Sequence, residues 1–371
     1  MRILLVADSL DVGGAERHVV GVATALVGGD HEVEIACSVE GGLAAAVREV
    51  GVTVHPLGAR LVKRRVSLGF ARHLRGLLDC HAFDVVHAHM FASAVASMLA
   101  LHGRQTPLVI TEHSEASWRD ERARSCSRLV YARAARVIAV SRGIRRRLIE
   151  LDGVPPARVA VIPNALAPSS MPGSAVDRAS LAPRGGPVVG AVARMQTEKG
   201  LAYFLEMAEL VLRRIPQASF VVLGDGPQRA ELEALVQRLG IAARVRFLGF
   251  RPDASAVMRA LDVLVVPSLS EGTPLVVLEA MTAGVPLVAT AVGGIPEQVR
   301  HGRDAVLVPP ADAGALAAAV VDLLNDPPQA RRLADAARCR MAVCGSHDTM
   351  MEQTLAIYSA ALATLASDRR P

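Results

Sequence analysis

The chain has 371 residues, of which 51% are hydrophobic and 21% are charged, and its net charge is +5. This length exceeds one ordinary domain and predicts two, with ample apolar material for packed cores. Aromatic residues make up only 3% of the chain, which leaves few side chains to stack on bases and disfavours nucleic acid as a partner. The five cysteines are scattered and form no C-x-x-C pair, which fits a reducing cytoplasm better than a disulfide framework or a zinc site.

Short apolar runs alternate with segments of helical period in the first half of the chain. The predicted strands are Arg2–Ala7, Glu32–Cys37, Thr53–Leu57, Asp84–His87, Pro107–Thr111, Val137–Val140 and Val159–Ile162. The predicted helices are Gly14–Val27, Leu43–Val50, Val66–Leu78, Phe91–Leu101 and Ser117–Ala134. The uncharged stretch from Val85 to Gly103 divides into a strand and a helix, so we interpret it as a soluble unit and not as a membrane span.

The stretch from Pro163 to Pro187 is rich in proline, serine, glycine and alanine, has little periodicity, and is interpreted as an interdomain linker. Alternation restarts after it. The predicted strands are then Val188–Val192, Ser219–Leu223, Val245–Leu248, Val263–Val266, Pro286–Thr290 and Ala305–Val308. The predicted helices are Leu201–Leu212, Arg229–Leu239, and further helices from Ala311 to about Ala366.

Two blocks of strand–helix alternation predict an α/β protein with two Rossmann-like, doubly wound parallel-sheet domains that face each other across a cleft. We place the N-terminal domain at residues 1–165, a linker at 166–186 and the C-terminal domain at 187–345. Residues 346–371 are expected to form a C-terminal helix that packs back on the N-terminal domain.

The basic excess lies in the first half of the chain, and its densest parts suit an anionic membrane face, an acidic acceptor or a solvated helix face. These parts are Lys63-Arg64-Arg65 with Arg72 and Arg75, and Arg142 with Arg145-Arg146-Arg147. Basic residues also surround four leucines of the segment Leu61–Leu78, a pattern that fits peripheral docking on an anionic membrane. These leucines are Leu68, Leu74, Leu77 and Leu78.

Two carboxylates, Glu271 and Glu279, lie eight positions apart around a strand–helix junction. Glu271 follows the apolar run Val263–Pro267, which is typical of a buried parallel strand, and Glu279 is predicted about two turns into a helix opened by Gly272 and Pro274. Ligands of open α/β sheets bind at the carboxyl ends of the strands. A carboxylate there can accept hydrogen bonds from vicinal hydroxyls of a sugar or ribose. The alternative is a pair of surface glutamates stabilised by the helix dipole.

Cations and glycine turns follow two other predicted strands. Arg194 and Lys199 flank the loop after Val188–Val192, where two cations could clamp a diphosphate and stabilise the charge that builds as it leaves. Gly224 and Gly226 follow the next strand in a Gly-Asp-Gly-Pro turn, which suits close backbone approach by a nucleotide.

The opening strand ends in Asp8, and Gly13 and Gly14 then lead into a helix whose first N–H groups suit an anion. The G-x-G-x-x-G spacing is missing, which counts against a dinucleotide-dependent oxidoreductase. His87 and His89 have a spacing compatible with zinc, but no further ligand cluster and no Asp-x-Asp is apparent in the sequence. We therefore expect packed strand-end histidines and no metal.

Four motifs occur in order, separated by strand–helix units, and together they resemble the retaining glycosyltransferases of family 4 (glycosyl transferases group 1), which have the GT-B fold. The motifs are R-x-x-x-x-K-G at Arg194, G-D-G-P at Gly224, E-G-x-P-x-x-x-L-E-A-M-x-x-G-x-P at Glu271 and G-G-x-P-E at Gly293. A weaker resemblance extends through the first half, at residues 13–16, 84–89, 111–114 and 139–141. One departure from the family follows Asn164, where Ala165-Leu166-Ala167 replaces a glycine, an aliphatic residue and an aspartate, a change that bears on donor choice.

The resemblance implies a role for each motif. Arg194 and Lys199 would bind the donor diphosphate, Glu279 would hold the nucleotide ribose, and Glu271 would contact the donor sugar. The other implied donor-binding residues are Gly14, Gly224, Gly226, Gly272, Thr273, Pro274 and Leu275. His113 would lie near the transferred sugar, so the implied catalytic residues are Glu271, His113, Arg194 and Lys199. The implied mechanism needs no metal and retains the anomeric configuration, with proton transfer to the leaving phosphate.

We therefore expect a metal-independent hexosyltransferase that uses a UDP-sugar, with GDP-mannose next, and a glycan, lipid-linked or small-molecule acceptor. No signal peptide is visible, because the apolar run Ile3–Ala7 ends at Asp8, so a cytoplasmic location with peripheral contact on the inner membrane face is expected. The alternatives are a nucleotide-sugar epimerase or sugar-phosphate synthase of the same fold, and a non-catalytic nucleotide-sugar-binding protein.

Overall fold

A computed structural model describes the chain except for residues 59, 63–65, 116–118, 168–175, 345 and 368–371. The chain divides into two compact units. Unit 1 comprises Met1–Ala165 together with the chain from His347 onward, and unit 2 comprises Leu166–Ser346. Each unit contains one parallel sheet, so the prediction of two doubly wound α/β domains is confirmed.

The sheet of unit 1 has seven strands. In chain order they are β1 (Arg2–Ser9), β2 (Glu32–Val39), β3 (Thr53–Pro56), β4 (Val85–His89), β5 (Leu108–Glu112), β6 (Arg136–Ala139) and β7 (Val159–Val161). Their spatial order is β3-β2-β1-β4-β5-β6-β7, so the direction of winding reverses between β1 and β4. Doubly wound sheets bind ligands at the carboxyl ends of strands at such a point.

The strands of unit 1 are linked by helices α1 (Gly14–Gly28), α2 (Ala44–Glu49), α3 (Leu68–Cys80), α4 (Phe91–Ala100), α5 (Glu121–Arg133) and α6 (Arg142–Glu150). The continuous apolar run of β1 reflects burial on both faces of the sheet. Leu4 and Val6 belong to one core cluster, whereas Ile3 and Leu5 belong to the other. Such two-sided burial is typical of a strand in the middle of a parallel sheet.

The sheet of unit 2 has six strands. They are β8 (Val188–Val192), β9 (Ser219–Leu223), β10 (Val245–Gly249), β11 (Val263–Val266), β12 (Leu287–Thr290) and β13 (Val306–Val308). Their order is β10-β9-β8-β11-β12-β13, so the winding reverses between β8 and β11. The helices of this unit are α7 (Arg178–Leu181), α8 (Leu201–Leu212), α9 (Arg229–Arg238), α10 (Ala254–Arg259), α11 (Leu275–Ala283), α12 (Ile295–Gln298), α13 (Ala313–Asn325) and α14 (Pro327–Cys344).

The last helix, α15 (His347–Ser367), belongs to unit 1. Its residues Tyr358 and Ala361 are fully buried in the cluster that contains Ile3 and Leu5. The Tyr358 hydroxyl is 2.6 Å from Nδ1 of His87, so a hydrogen bond ties this helix to strand β4. The chain therefore leaves unit 1 before unit 2 and returns to complete it afterwards.

The described part of the predicted linker packs against unit 2 and does not form an extended, exposed segment. Leu166 and Leu181 are buried in a core cluster of unit 2, and α7 forms within the segment. Residues 168–175 lie outside the described residues. Helix α5 begins at Glu121, where the Asp120 side chain accepts a hydrogen bond from a backbone N–H of the first turn. Ser117, its predicted start, also lies outside the described residues.

The leucines of the predicted membrane-docking segment mostly point into the core of unit 1. Leu74 and Leu78 are buried there and Leu77 packs against them, so the apolar face of α3 is already occupied. Leu68 differs, because 72% of it is exposed. The neighbouring basic residues 63–65 lie outside the described residues. No helix in the described ranges is both long and apolar enough to cross a membrane.

Candidate functional site

The carboxylate of Glu271 is held at the carboxyl edge of the unit 2 sheet. The residue follows β11 and is 7% exposed. Lys199 Nζ lies 2.8 Å from Oε1 and 2.9 Å from Oε2, and Ser268 Oγ donates to Oε1 at 2.7 Å. Lys199 comes from the segment after β8, which pairs with β11 in the sheet. A bidentate ion pair and a hydroxyl donor compensate the cost of burying this charge.

Two glycines of the G-G-x-P-E motif fix the loop that carries Glu271. A Cβ atom at Gly293 would lie 1.9 Å from the Glu271 carbonyl oxygen, and φ at Gly293 is +54°. The backbone N–H of Gly294 donates to the carbonyl of Gly272 at 2.7 Å. A side chain at Gly293 would push the two loops apart, so this glycine positions the Glu271 backbone.

Helix α11 begins at Leu275, with Pro274 as its N-cap, and not at Gly272. Glu279 is therefore the fifth helical residue, little more than one turn from the start, and the prediction of two turns was wrong. Glu279 and Thr273 are buried. Pro274 has no N–H, so backbone donors in this stretch are confined to Gly272, Thr273 and Leu275.

Arg194 lies on the loop after β8 and is half-buried. Across the ranges that the structure describes, no hydrogen bond or ion pair to its guanidinium is found. The turn that contains Gly224 and Gly226 packs against this loop. Added Cβ atoms would lie 2.0 Å from the Ala193 carbonyl oxygen and 2.6 Å from that of Met195, respectively. Both glycines therefore make room for the Arg194 loop, and the close approach of a nucleotide to this turn stays a prediction.

Replacing Gly224 by alanine is expected to lower the free energy of unfolding by about 2–4 kcal/mol, because the new methyl group meets a backbone carbonyl and φ is +117°. Gly240→Ala is the matched control. Gly240 also has a positive φ of +70°, but no atom lies within 4 Å of an added Cβ, so a loss of about 1 kcal/mol is expected. Urea unfolding of the two variants measures the difference, and equal losses would contradict the assigned role.

Three histidines converge at the carboxyl edge of the unit 1 sheet. His18 comes from α1, His89 ends β4 and His113 directly follows β5. One ring nitrogen from each lies within 4.8 Å of the others, and His89 Nδ1 is 3.2 Å from His113 Nε2. The expectation that no further ligand cluster accompanies His89 was therefore wrong. His87 does not join the cluster, because its two ring nitrogens bond to Tyr358 and Thr111.

Burial keeps these imidazoles neutral near pH 7. Loss of hydration lowers the pKa of His113 to about 4 and that of His87 to about 3. The same cause lowers the pKa values of His18 and His89 well below the ordinary value, and the neighbouring histidines lower them further. Gly14 begins α1 on this edge, and among the described residues no atom lies within 4 Å of a Cβ added there.

An arginine-lined cavity of about 290 Å³ also lies in unit 1, with Glu115, Arg119, Arg124, Arg147 and Asp152 in its wall. Arg119 and Arg147 each form an ion pair with a carboxylate. Arg119 donates to Glu112 at 2.6 Å, and Arg147 donates to Asp152 at 2.6 Å. Burial alone would raise the pKa of Glu112, but the two guanidinium groups lower it to about 2. Arg147 was predicted in a basic surface patch, and its burial and pairing correct that prediction.

Two family models match the chain, Glycosyltransferase Family 4 over residues 12–169 and Glycosyl transferases group 1 over residues 186–326. The D-inositol 3-phosphate glycosyltransferase of Mycobacterium avium is 31% identical over 399 residues, which cover 97% of this chain and 92% of the relative. The chain belongs to glycosyltransferase family 4. The prediction of the family and of a glycosyltransferase activity is confirmed.

Two further comparisons agree with this family. The glycogen synthase of Mycobacterium tuberculosis is 28% identical over 398 residues, covering 97% of this glycosyltransferase and 95% of the relative. The crystal structure of the Anabaena protein HepE in complex with UDP-glucose superposes with a TM-score of 0.86 at 24% identity, covering 97% of this chain and 100% of HepE. That likeness shows a shared fold.

The glycosyltransferase carries its predicted site residues in two groups. Arg194, Lys199 and Glu271 lie at the carboxyl edge of the unit 2 sheet, and Gly14 and His113 lie at that of unit 1. Sequence reasoning missed Ser268 and His18, and it named Gly293 and His89 without the contacts that they make here. Ser268 precedes Glu271 by three positions, and His18 follows the Gly-Gly-Ala-Glu motif, so both could have been found from their closeness to a motif.

Proposed function

We propose that this glycosyltransferase transfers a hexose from a UDP-sugar to a hydroxyl group with retention of the anomeric configuration. The observation that carries the proposal is the Glu271 carboxylate, fixed by Lys199 and Ser268 at a strand end. An oriented carboxylate can accept hydrogen bonds from sugar hydroxyls. Arg194 on the neighbouring loop supplies a cation for the departing diphosphate, where charge develops in the transition state.

The chemistry requires one bond exchange. The bond between the anomeric carbon and the diphosphate oxygen breaks, and a bond from the acceptor oxygen forms on the same face of the sugar. The acceptor proton passes to the leaving diphosphate, so no protein side chain has to take up this proton. This fits the state of His113, which the family resemblance implies to lie near the transferred sugar, because burial lowers its pKa to about 4 and keeps it neutral near pH 7.

The donor and acceptor classes rest on different support. HepE binds UDP-glucose, which favours UDP over GDP in the proposed donor. The relative from Mycobacterium avium is named for inositol 3-phosphate. We therefore favour a phosphorylated small molecule or a lipid-linked phosphate as acceptor over a neutral glycan.

The proposed function can be tested in two steps. Calorimetry with UDP, GDP, ADP, dTDP and NAD identifies the nucleotide, and selective UDP binding is expected. Wild-type enzyme is then incubated with UDP-glucose and a panel of neutral and phosphorylated sugars and cyclitols, and the anomer of the first product formed is determined by proton NMR. A product of inverted configuration contradicts the proposal. Conversion of the nucleotide sugar without acceptor supports an epimerase, and binding without turnover supports a non-catalytic binding protein.

We further propose peripheral contact with anionic membrane through the exposed apolar residues Leu61, Val66 and Leu68, which flank the basic segment. Leu68→Asp is expected to weaken sedimentation with anionic vesicles by about tenfold or more, because it removes an apolar contact of about 1.5–3 kcal/mol and adds a negative charge. Leu129→Asp is the matched control, since Leu129 is 66% exposed on α5. Equal effects of the two variants, or no preference of wild type for anionic vesicles, would overturn this contact.

A further inference from the structure

The three clustered histidines of unit 1 have buried nitrogens that no protein group satisfies. Within the described part of the chain, His18 Nδ1, His89 Nε2 and His113 Nδ1 have no hydrogen-bond partner. His18 is 7% exposed and His89 is fully buried. A metal held by the facing atoms His89 Nδ1 and His113 Nε2 would not contact His89 Nε2 or His113 Nδ1, so the proposal rests on the convergence of three imidazoles on one point and not on these unsatisfied atoms.

The geometry of the cluster suits a small ion. Two nitrogens bound at about 2.0–2.1 Å to a tetrahedral metal lie about 3.4 Å apart. His89 Nδ1 and His113 Nε2 are already 3.2 Å apart, and one nitrogen of His18 lies within 4.8 Å of theirs. The His18 ring stands edge-on to that of His113, with centroids 4.9 Å apart, so the third imidazole borders the same point.

Neighbouring groups support a three-histidine site with one open position. His87 cannot be a fourth ligand, because Tyr358 and Thr111 engage both of its ring nitrogens. Its ring lies against that of His89, with centroids 4.1 Å apart, and so limits the orientations of that imidazole. A fourth position would be left to water, as in catalytic zinc sites.

We propose that His18, His89 and His113 form a binding site for a transition-metal cation of the Zn²⁺ class. Three imidazoles without a carboxylate or thiolate favour Zn²⁺, Co²⁺, Ni²⁺ or Cu²⁺ over Mg²⁺ and Ca²⁺, which prefer oxygen ligands. The proposal departs from the expectation from sequence that the chain binds no metal, which stays untested until metal binding is measured. It stands on unit 1 alone and does not depend on the identity of the donor or acceptor.

Metal titration of the full chain tests the proposal. Protein freed of metal by a chelator is titrated with Co²⁺, and the visible absorption of tetrahedral Co²⁺ is followed. One equivalent per chain is expected, displaced by Zn²⁺ and not by Mg²⁺. His18→Gln and His89→Gln are each expected to weaken binding by at least about tenfold, because each removes one of three ligands.

His55→Gln and His81→Gln are the matched controls. These two histidines also lie near each other, but they bond to Glu34 and do not belong to the cluster. Unchanged Co²⁺ binding is expected in both. Absence of a one-to-one Co²⁺ complex in wild type overturns the proposal, and so does full binding in the His18 and His89 variants. Thermal melting of each variant shows whether it is folded, and UDP calorimetry on the same samples reports separately on the proposed donor site.

Discussion

Replacing Glu271 by glutamine is expected to lower the turnover of the glycosyltransferase at saturating donor by about 10²–10³-fold. The carboxylate is the group that we propose to hold the donor sugar, and the neutral amide accepts weaker hydrogen bonds. UDP affinity is expected to stay the same or to rise, because the substitution releases the ammonium of Lys199 from its ion pair. Steady-state kinetics and UDP calorimetry measure the two effects.

Ser268→Ala is the companion variant for Glu271. It removes one hydrogen bond to Oε1 and leaves the ion pair with Lys199 in place, so a smaller loss of turnover, about tenfold, is expected. A strong loss of UDP binding in the Glu271 variant would contradict the division between sugar and phosphate contacts. Equal turnover of the Glu271 variant and wild type would remove Glu271 from the proposed mechanism.

Replacing Arg194 by alanine is expected to raise the Kd for UDP by about 10–100-fold, because a hydrogen bond to a charged group contributes about 1.5–3 kcal/mol. The guanidinium is half-buried on the loop after β8, and it has no other partner within the described ranges. Its whole donor capacity is therefore available to a diphosphate. Turnover should fall as well, since the same cation faces the charge of the leaving group.

The control for Arg194 is Arg213→Ala, which removes the same charge from the residue directly after α8. Arg213 is largely exposed and pairs with Glu209 one turn earlier, so UDP affinity should not change. A Kd for UDP that is unaltered in the Arg194 variant would contradict the phosphate contact assigned to Arg194. A double variant of Arg194 and Lys199 then distinguishes shared from exclusive phosphate binding.

The strands could be predicted from the sequence because both faces of each sheet are buried. The apolar runs Val188–Val192 and Ser219–Leu223 match β8 and β9 residue for residue. Some helices could not. Helix α6 buries Ile144 and Leu148 in the core, with Ile149 packed beside them, but it also carries four arginines, so its sequence suggested a charged surface patch. Helices α10 and α12 have six and four residues, too few for a periodic pattern.

The contacts within the site could not be predicted from local sequence patterns. Lys199 and Glu271 are 72 residues apart, and they meet only because β8 lies beside β11 in the sheet. Strand order is not encoded in the period of apolar residues. The sequence pattern did place both residues at strand ends, and their pairing follows once the order is known. The histidine cluster has the same origin, since α1, β4 and β5 each supply one ring.

The hydrogen bond between Tyr358 and His87 joins residues 271 positions apart, and it determines which unit can complete its folding first during synthesis. A ribosome that adds about 5–20 residues per second reaches Tyr358 about 10–40 s after Ala165. During that interval the seven-stranded sheet of the nascent chain lacks its last helix, and the apolar side chains that α15 later covers stay accessible to chaperones. The six-stranded unit can meanwhile finish folding, so the segment made first is the last to be completed.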